Sequence, residues 1–227
     1  MARRTRRSEP LPPPLPPERR TVGQLVAEAI RFYGRRFWPS LALGLSLATL
    51  NQLAVSLPRQ EQVVLTASLG AVLLSASLVG ACALVADVRP PLSVVLGAVA
   101  LGAVLFVPAP FLALLFVLPA VAWLALVGLA VPAYLLERRS LRSSLVRGVA
   151  LARADYVHAL GSLATLAITY FLTRTVLLFL LRGQADVTLR AAGFLADLVV
   201  SPLLFLGAAI LYVDQAARAD GPLRTRP

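Results

Sequence analysis

Residues 157–181 read "VHALGSLATLAITYFLTRTVLLFLL", 25 residues whose one permanent charge is Arg174. About 20 apolar residues in a helix cross a hydrocarbon core of about 30 Å. This run is long enough to span, and it lacks the polar face of a helix on a soluble surface. The rest of the chain points the same way. Of its 227 residues, 58% are hydrophobic and 15% charged, where a soluble domain has about 45–50% and about 25%. A polytopic membrane protein accounts for the excess.

Five further apolar runs lie near 39–57, 63–86, 92–107, 111–136 and 187–213. The third is short and is followed by "PAP" (108–110), so runs three and four suit either two spans or a re-entrant pair. Six full spans is the reading adopted. The expected fold is all-α, a transmembrane bundle. All 22 basic residues are Arg, and 18 of them fall in the N-terminal segment, the 87–91 loop, the 137–156 loop and the C-terminal tail. These lie on one side of a six-span chain, so the positive-inside rule places both termini in the cytoplasm. Arg59, Arg182 and Arg190 lie on the other side. An Arg-only basic set in an Ala- and Leu-rich chain suggests a GC-rich bacterial genome, hence a multi-pass protein of the bacterial inner membrane. The net charge of +11 comes from Arg flanking spans, with no basic stripe on a soluble domain, so no nucleic-acid partner is expected. Cys82 is the only cysteine, which excludes a disulfide framework and a cysteine metal site.

Residues 1–20, "MARRTRRSEPLPPPLPPERR", are basic and Pro-rich and are expected to form a disordered cytoplasmic tail. They lack the apolar region of a signal peptide, so no cleavage is expected. The membrane domain then runs over 21–218, with a short tail at 219–227. Within 21–37, Thr21 and Gln24 have capping-box spacing. Gln24, Glu28, Arg31 and Arg35 share an arc of about 60°, opposite Leu25, Val26, Ala29, Ile30 and Tyr33. That pattern predicts an amphipathic helix lying in the membrane interface. Residues 137–156, "ERRSLRSSLVRGVALARADY", predict a second such helix between spans four and five. Leu141, Leu145, Gly148, Val149 and Ala152 gather on one side, while Val146 and Leu151 break the pattern. Arg31, Arg35, Arg36, Arg139, Arg142, Arg147 and Arg153 are therefore candidate contacts for anionic inner-leaflet headgroups.

"TVGQLVAEAIRFYGRRFWPSL", "SSLVRGVALARADY" and "ILYVDQAARAD" together resemble the glycerophosphoryl diester phosphodiesterase membrane-domain family. The resemblance covers roughly residues 21–220. It implies six membrane helices, an opening amphipathic helix, a basic helix between spans four and five, and a closing Tyr-x-Asp-x-Arg-x-Arg-type segment. Tyr212, Asp214 and Arg218 match that segment, while Ala216 stands where Arg is usual. In the loop Leu145, Arg147 and Leu151 match, and Gly148 replaces the usual Ser. The catalytic domain that names the family needs paired His residues and a carboxylate-bound metal, whereas this chain has one His, His158. The resemblance thus implies a membrane module without the esterase. No metal and no cofactor are expected.

Charged groups inside spans are costly and usually face the bundle interior. Arg174 lies about 10 Å from the outer end of span five, and Asp197 about 15 Å from the same face on span six. Arg190 lies nearer that face, and Asn51 and Gln52 fall in the same outer half. Three readings suit Arg174: an ion pair with Asp197, which is preferred; an anionic-headgroup site in which Arg174 and Arg190 outnumber Asp197; or snorkelling to the interface. Ser162, Thr165, Thr169 and Thr173 form a hydroxyl stripe expected to face inward. Ala71 and Ser75 in span two, with Ala98 and Gly102 in span three, suggest interior spans, and Pro119, Pro132 and Pro202 predict kinks. Glu137, Asp155 and Asp214 read as solvated ion-pair partners of nearby Arg, with Arg218 one turn from Asp214. The expected function is a non-enzymatic membrane module that organises lipids or a partner membrane protein. The alternative is a transporter or lipid-translocating protein with a polar site in the outer half.

Overall fold

Thr21 opens the first helix as its spacing predicts. Its hydroxyl accepts the Gln24 N–H, and the Gln24 side chain accepts the Thr21 N–H at 2.8 Å, closing a capping box. The computed structural model describes residues 16–220, and every regular element among them is helical. Helix α1 (Val22–Arg35) buries Leu25 and Ala29. Its polar stripe is held by Glu28, which pairs with Arg31 at 2.8 Å and Arg35 at 3.2 Å. The apolar face packs against the membrane helices, so α1 caps the bundle.

Five helices are long and apolar enough to cross a membrane: Arg59–Val85, Leu92–Leu115, Val117–Glu137, Tyr156–Leu180 and Asp186–Asp220. The run at 39–57 forms no single helix of that length. It divides into α2 (Phe37–Leu43) and α3 (Leu45–Ala54) at Gly44. Runs three and four meet later than expected. "PAP" continues the helix, because Pro108 opens the first turn of α7 (Pro108–Leu115), where a missing N–H costs nothing. The chain turns instead at Phe116, whose φ of −160° and ψ of 158° are extended.

The first of these five joins α4 (Arg59–Leu65) to α5 (Ala71–Val85) through a π-helical stretch, Thr66–Gly70. The left-handed Asp87 (φ 53°) stops α5. Arg36 donates to its carboxylate at 2.8 Å and holds that carboxyl below the usual range. Helix α6 (Leu92–Phe106) continues into α7, and the returning α8 (Val117–Val127) gives way to α9 (Ala130–Glu137) at Gly128–Leu129. Pro132 explains that break, since its ring clashes with the carbonyl four residues back, at Gly128. Pro119 makes no break, because it falls in the first turn of α8. Most of Leu92–Leu115 faces outward, so this helix lies at the edge of the bundle, though Ala98 and Gly102 face in.

Helix α10 (Leu141–Ala154) follows a Ser140 N-cap and buries Ser144, Gly148, Leu151 and Ala152. Leu151 therefore belongs to the packed face, whereas Leu141 and Val146 are exposed. Asp155 caps α11 (Tyr156–Leu180) by accepting the His158 N–H at 3.1 Å. Thr165, Thr169 and Thr173 donate to carbonyls four residues back. Thr169 and Thr173 are exposed, so the hydroxyl stripe runs along the outer side of α11 and only Ser162 is buried. Satisfying its hydroxyls on its own backbone lets a Thr face lipid.

The last span bends between α12 (Asp186–Val200) and α13 (Pro202–Asp220). Pro202 cannot donate to the Leu198 carbonyl, and a Cβ at Gly44 would lie 2.1 Å from that oxygen. The α2–α3 break and the α12–α13 break thus form one joint, which only a residue without a side chain permits. Helix α13 is central, with Leu206 and Leu211 fully buried. Gly44→Ala is expected to lower stability by about 1–3 kcal/mol, since backbone cannot yield. Thermal unfolding followed by helical circular dichroism in detergent checks this. Gly34→Ala, where a Cβ meets nothing within 4 Å, is the control and keeps or raises the midpoint.

Candidate functional site

Asp197 is 1% exposed, with its carboxylate between three helices. Arg174 Nε donates to Oδ1 at 2.9 Å, the Tyr170 hydroxyl donates to the same oxygen at 2.6 Å, and Asn51 Nδ2 donates to Oδ2 at 2.8 Å. Asn51 also reaches the Tyr170 hydroxyl at 3.1 Å. Gln52 Nε2 donates to the Arg190 carbonyl at 2.6 Å, fastening the end of α3 to α12. Asn51, Gln52, Arg174, Arg190 and Asp197 line one cavity of about 220 Å³, closed by Val55, Leu178, Leu189 and Gly193. The structure brings all five residues of the expected intramembrane polar group together. Tyr170, which joins them, carries no signal in the sequence beyond lying one helical turn before Arg174.

The charges in this cavity do not cancel. One carboxylate faces two guanidinium groups. Only Nε of Arg174 is engaged among the described residues, and its side chain is 33% exposed on the cavity side. The Arg190 side chain makes no hydrogen bond or ion pair among the described residues. Arg174 bends toward Asp197 rather than reaching for the interface. What the group can do is bind an anion: forked N–H donors suit phosphate or carboxylate oxygens. Among the described residues no group of three or more His, Cys, Asp and Glu is placed to hold a metal ion.

A second polar layer lies at the opposite end of α13. The Tyr212 hydroxyl donates to Glu137 Oε1 at 2.5 Å. Glu137 also takes Arg139 and, at 3.3 Å, Arg147, which reaches on to Asp220 at 2.7 Å. Asp214 is fully buried and pairs with Arg20 at 2.8 Å, while Arg218 pairs with Asp155 at 2.6 Å and donates to the Arg20 carbonyl at 2.5 Å. Gln215 Nε2 donates to the Asp155 carbonyl at 2.9 Å, and Arg218 Nη2 lies 3.4 Å from His158 Nε2. Glu137 thus keeps its nearby partner Arg139, whereas Asp155 and Asp214 take distant Arg instead of the neighbours expected. Asp214 takes a residue 194 positions away rather than Arg218. The tail expected at 1–20 is also not wholly free, since Pro17–Arg19 form a 3-10 turn that delivers Arg20. Residues 1–15 and 221–227 lie outside the described residues.

Of the candidate headgroup contacts, Arg31 and Arg35 bind Glu28, Arg36 binds Asp87, and Arg139 and Arg147 bind Glu137. Arg142 and Arg153 are exposed and make no ion pair among the described residues. No family model, no curated protein and no solved structure matches the chain.

Asp197→Asn is expected to cost up to about 3–5 kcal/mol, the range for stripping one partner from a buried pair, lessened by the exposure of Arg174. Adding Arg174→Gln recovers part of it, read as monodisperse yield and unfolding midpoint. Arg20→Gln is expected to lower the midpoint because Asp214 then keeps a buried charge without its guanidinium. A smaller loss in Arg20→Lys than in Arg20→Gln distinguishes lost charge from lost shape.

Proposed function

We propose that this is a non-enzymatic, multi-pass protein of the bacterial inner membrane, which organises lipid by holding an anionic headgroup in the cavity around Arg174 and Arg190. The surplus positive charge at the half-open cavity around the buried Asp197 carries the reading. An anion there meets the part-buried Arg174 guanidinium beside Asp197 together with the exposed Arg190. A structural ion pair alone needs one Arg, and Arg190 is the one it leaves unexplained.

Six spans with cytoplasmic termini accord with this role. Helices α2 and α3 together cover residues 37–54, about 27 Å at 1.5 Å per residue, close to the depth of a hydrocarbon core. Arg36–Asp87, Arg20–Asp214 and Arg147–Asp220 bring together segments that carry most of the Arg, as the positive-inside rule asks of one face. There Arg142 and Arg153 offer anionic lipid about 1 kcal/mol each. Membership of the glycerophosphoryl diester phosphodiesterase membrane-domain family is part of the proposal. It is supported by Tyr212, which joins Glu137 and Arg147 of the basic loop helix, and by Asp214 and Arg218, which join Arg20 and Asp155 at the end of that helix.

Native mass spectrometry of the chain released from its own membrane in mild detergent tests the reading. Arg190→Gln is the cleaner variant because the Arg190 side chain supports nothing else. Retained anionic lipid is expected to fall about tenfold, the loss of a contact worth about 1.4 kcal/mol, with helicity unchanged. Equal retention in wild type and variant would overturn the headgroup site. A second reading, lipid translocation, is favoured by the Gly44–Leu198 joint, whose Leu198 directly follows Asp197. Movement of a fluorescent anionic lipid across reconstituted vesicles, lost in Arg190→Gln, would favour it over simple holding.

A further inference from the structure

A second cavity, of about 300 Å³, lies beside the polar one and is lined by α3, α5, α6, α8, α9, α11 and α13. That volume falls at the lower end of the range for ligand pockets. Its walls are apolar except for Tyr170, whose ring lines this cavity while its hydroxyl donates to Asp197 in the other. The two cavities share one face of α11. Leu163, Ala167, Tyr170 and Phe171 line the apolar one, and Arg174 and Leu178 the polar one. Steps of three and four residues keep all six on a single stripe. Along it the apolar part runs about 12 Å, from Leu163 to Phe171, and half a hydrocarbon core is about 15 Å.

We infer that the apolar cavity takes one acyl chain of the anionic lipid whose headgroup the Arg174 cavity holds, so that successive turns of α11 read chain and charge. This rests on the headgroup reading above. The occupant follows from the pairing of the cavities. A free anion fills the polar cavity and leaves the apolar one unused, and a neutral lipid has no use for two guanidinium groups against one carboxylate. An anionic amphiphile satisfies both. The axial order also fits a lipid of the outer leaflet, with its charge in the outer half and its chain directed toward the bilayer centre.

The full chain is reconstituted in vesicles containing phosphatidylglycerol with a diazirine near the end of one acyl chain, irradiated, and digested for peptide mapping. Label is expected on Ala167, Leu204 or Ala208 within the cavity, and it falls about tenfold in Arg190→Gln. Ala208→Phe, which fills the cavity, removes the label as well, and Ala167→Leu serves if that chain fails to fold. Label confined to the lipid-facing Leu172, Val176 and Phe179, with retention still dependent on Arg190, overturns the chain site and leaves the headgroup site standing. Cavity label that is equal with a diazirine phosphatidylcholine and unchanged in Arg190→Gln overturns the headgroup reading, and this inference with it. Absence of label on every peptide overturns both.

Discussion

A carboxylate moved from water into an apolar bundle loses several kcal/mol of hydration, which the surrounding donors must replace. Asp197 is in that position, and its three donors come from two other helices. Asn51 is fixed on α3, and Tyr170 and Arg174 on α11. Were any of these helices to slide by a residue, the donor would leave the carboxylate and the cost of desolvation would return. This end of the bundle is therefore registered by one charge. Asn51 tightens the arrangement by also reaching the Tyr170 hydroxyl, so the donors constrain one another as well as Asp197.

The helices can approach closely enough for this because two proline breaks are each met by a glycine on a neighbour. At one, Gly44 faces the carbonyl of Leu198, which Pro202 leaves without its helical donor. At the other, a Cβ on Gly148 would lie 2.4 Å from the Ala130 nitrogen, beside the break that Pro132 imposes. A broken turn widens the backbone locally and exposes polar atoms. A residue without a side chain lets another helix cover them. The first joint sets α3 against α12 and so places Asn51 near Asp197. The second seats the basic helix α10 on the bundle, which carries Arg147 to Glu137.

The apolar runs, the capping box at Thr21 and the nearness of Arg174 to Asp197 were legible because each depends on local pattern or on depth along a span. The break at Gly44 was not, since what makes that glycine necessary is a carbonyl on a helix more than 150 residues later. The partner of Asp214 was hidden for a similar reason. Arg218 stands one turn away and satisfies the local rule, yet α13 directs it to Asp155 and leaves Asp214 to Arg20. The hydroxyls of α11 misled because Thr closes its hydrogen bond on its own helix as readily as on a neighbour. Leu151 misled in the opposite sense, its burial being set by how α10 docks rather than by its own heptad.

The two polar layers differ in a way that separates architecture from site. At the α13 end, Glu137, Asp155, Asp214 and Asp220 meet Arg20, Arg139, Arg147 and Arg218, so the four acidic charges are matched by four basic ones. Such a balanced and interlocked set has little left with which to recruit an ion, and its effect is to hold four distant parts of the chain together. Around Asp197 one acid meets two bases, and the unmatched groups line a cavity. Arg190 is exposed and makes no ion pair among the described residues, so the packing of α11 against α12 does not account for it. A positively charged cavity beside an apolar one, linked by a tyrosine that lines the apolar one and donates to Asp197 in the other, is the arrangement on which the proposed lipid reading rests.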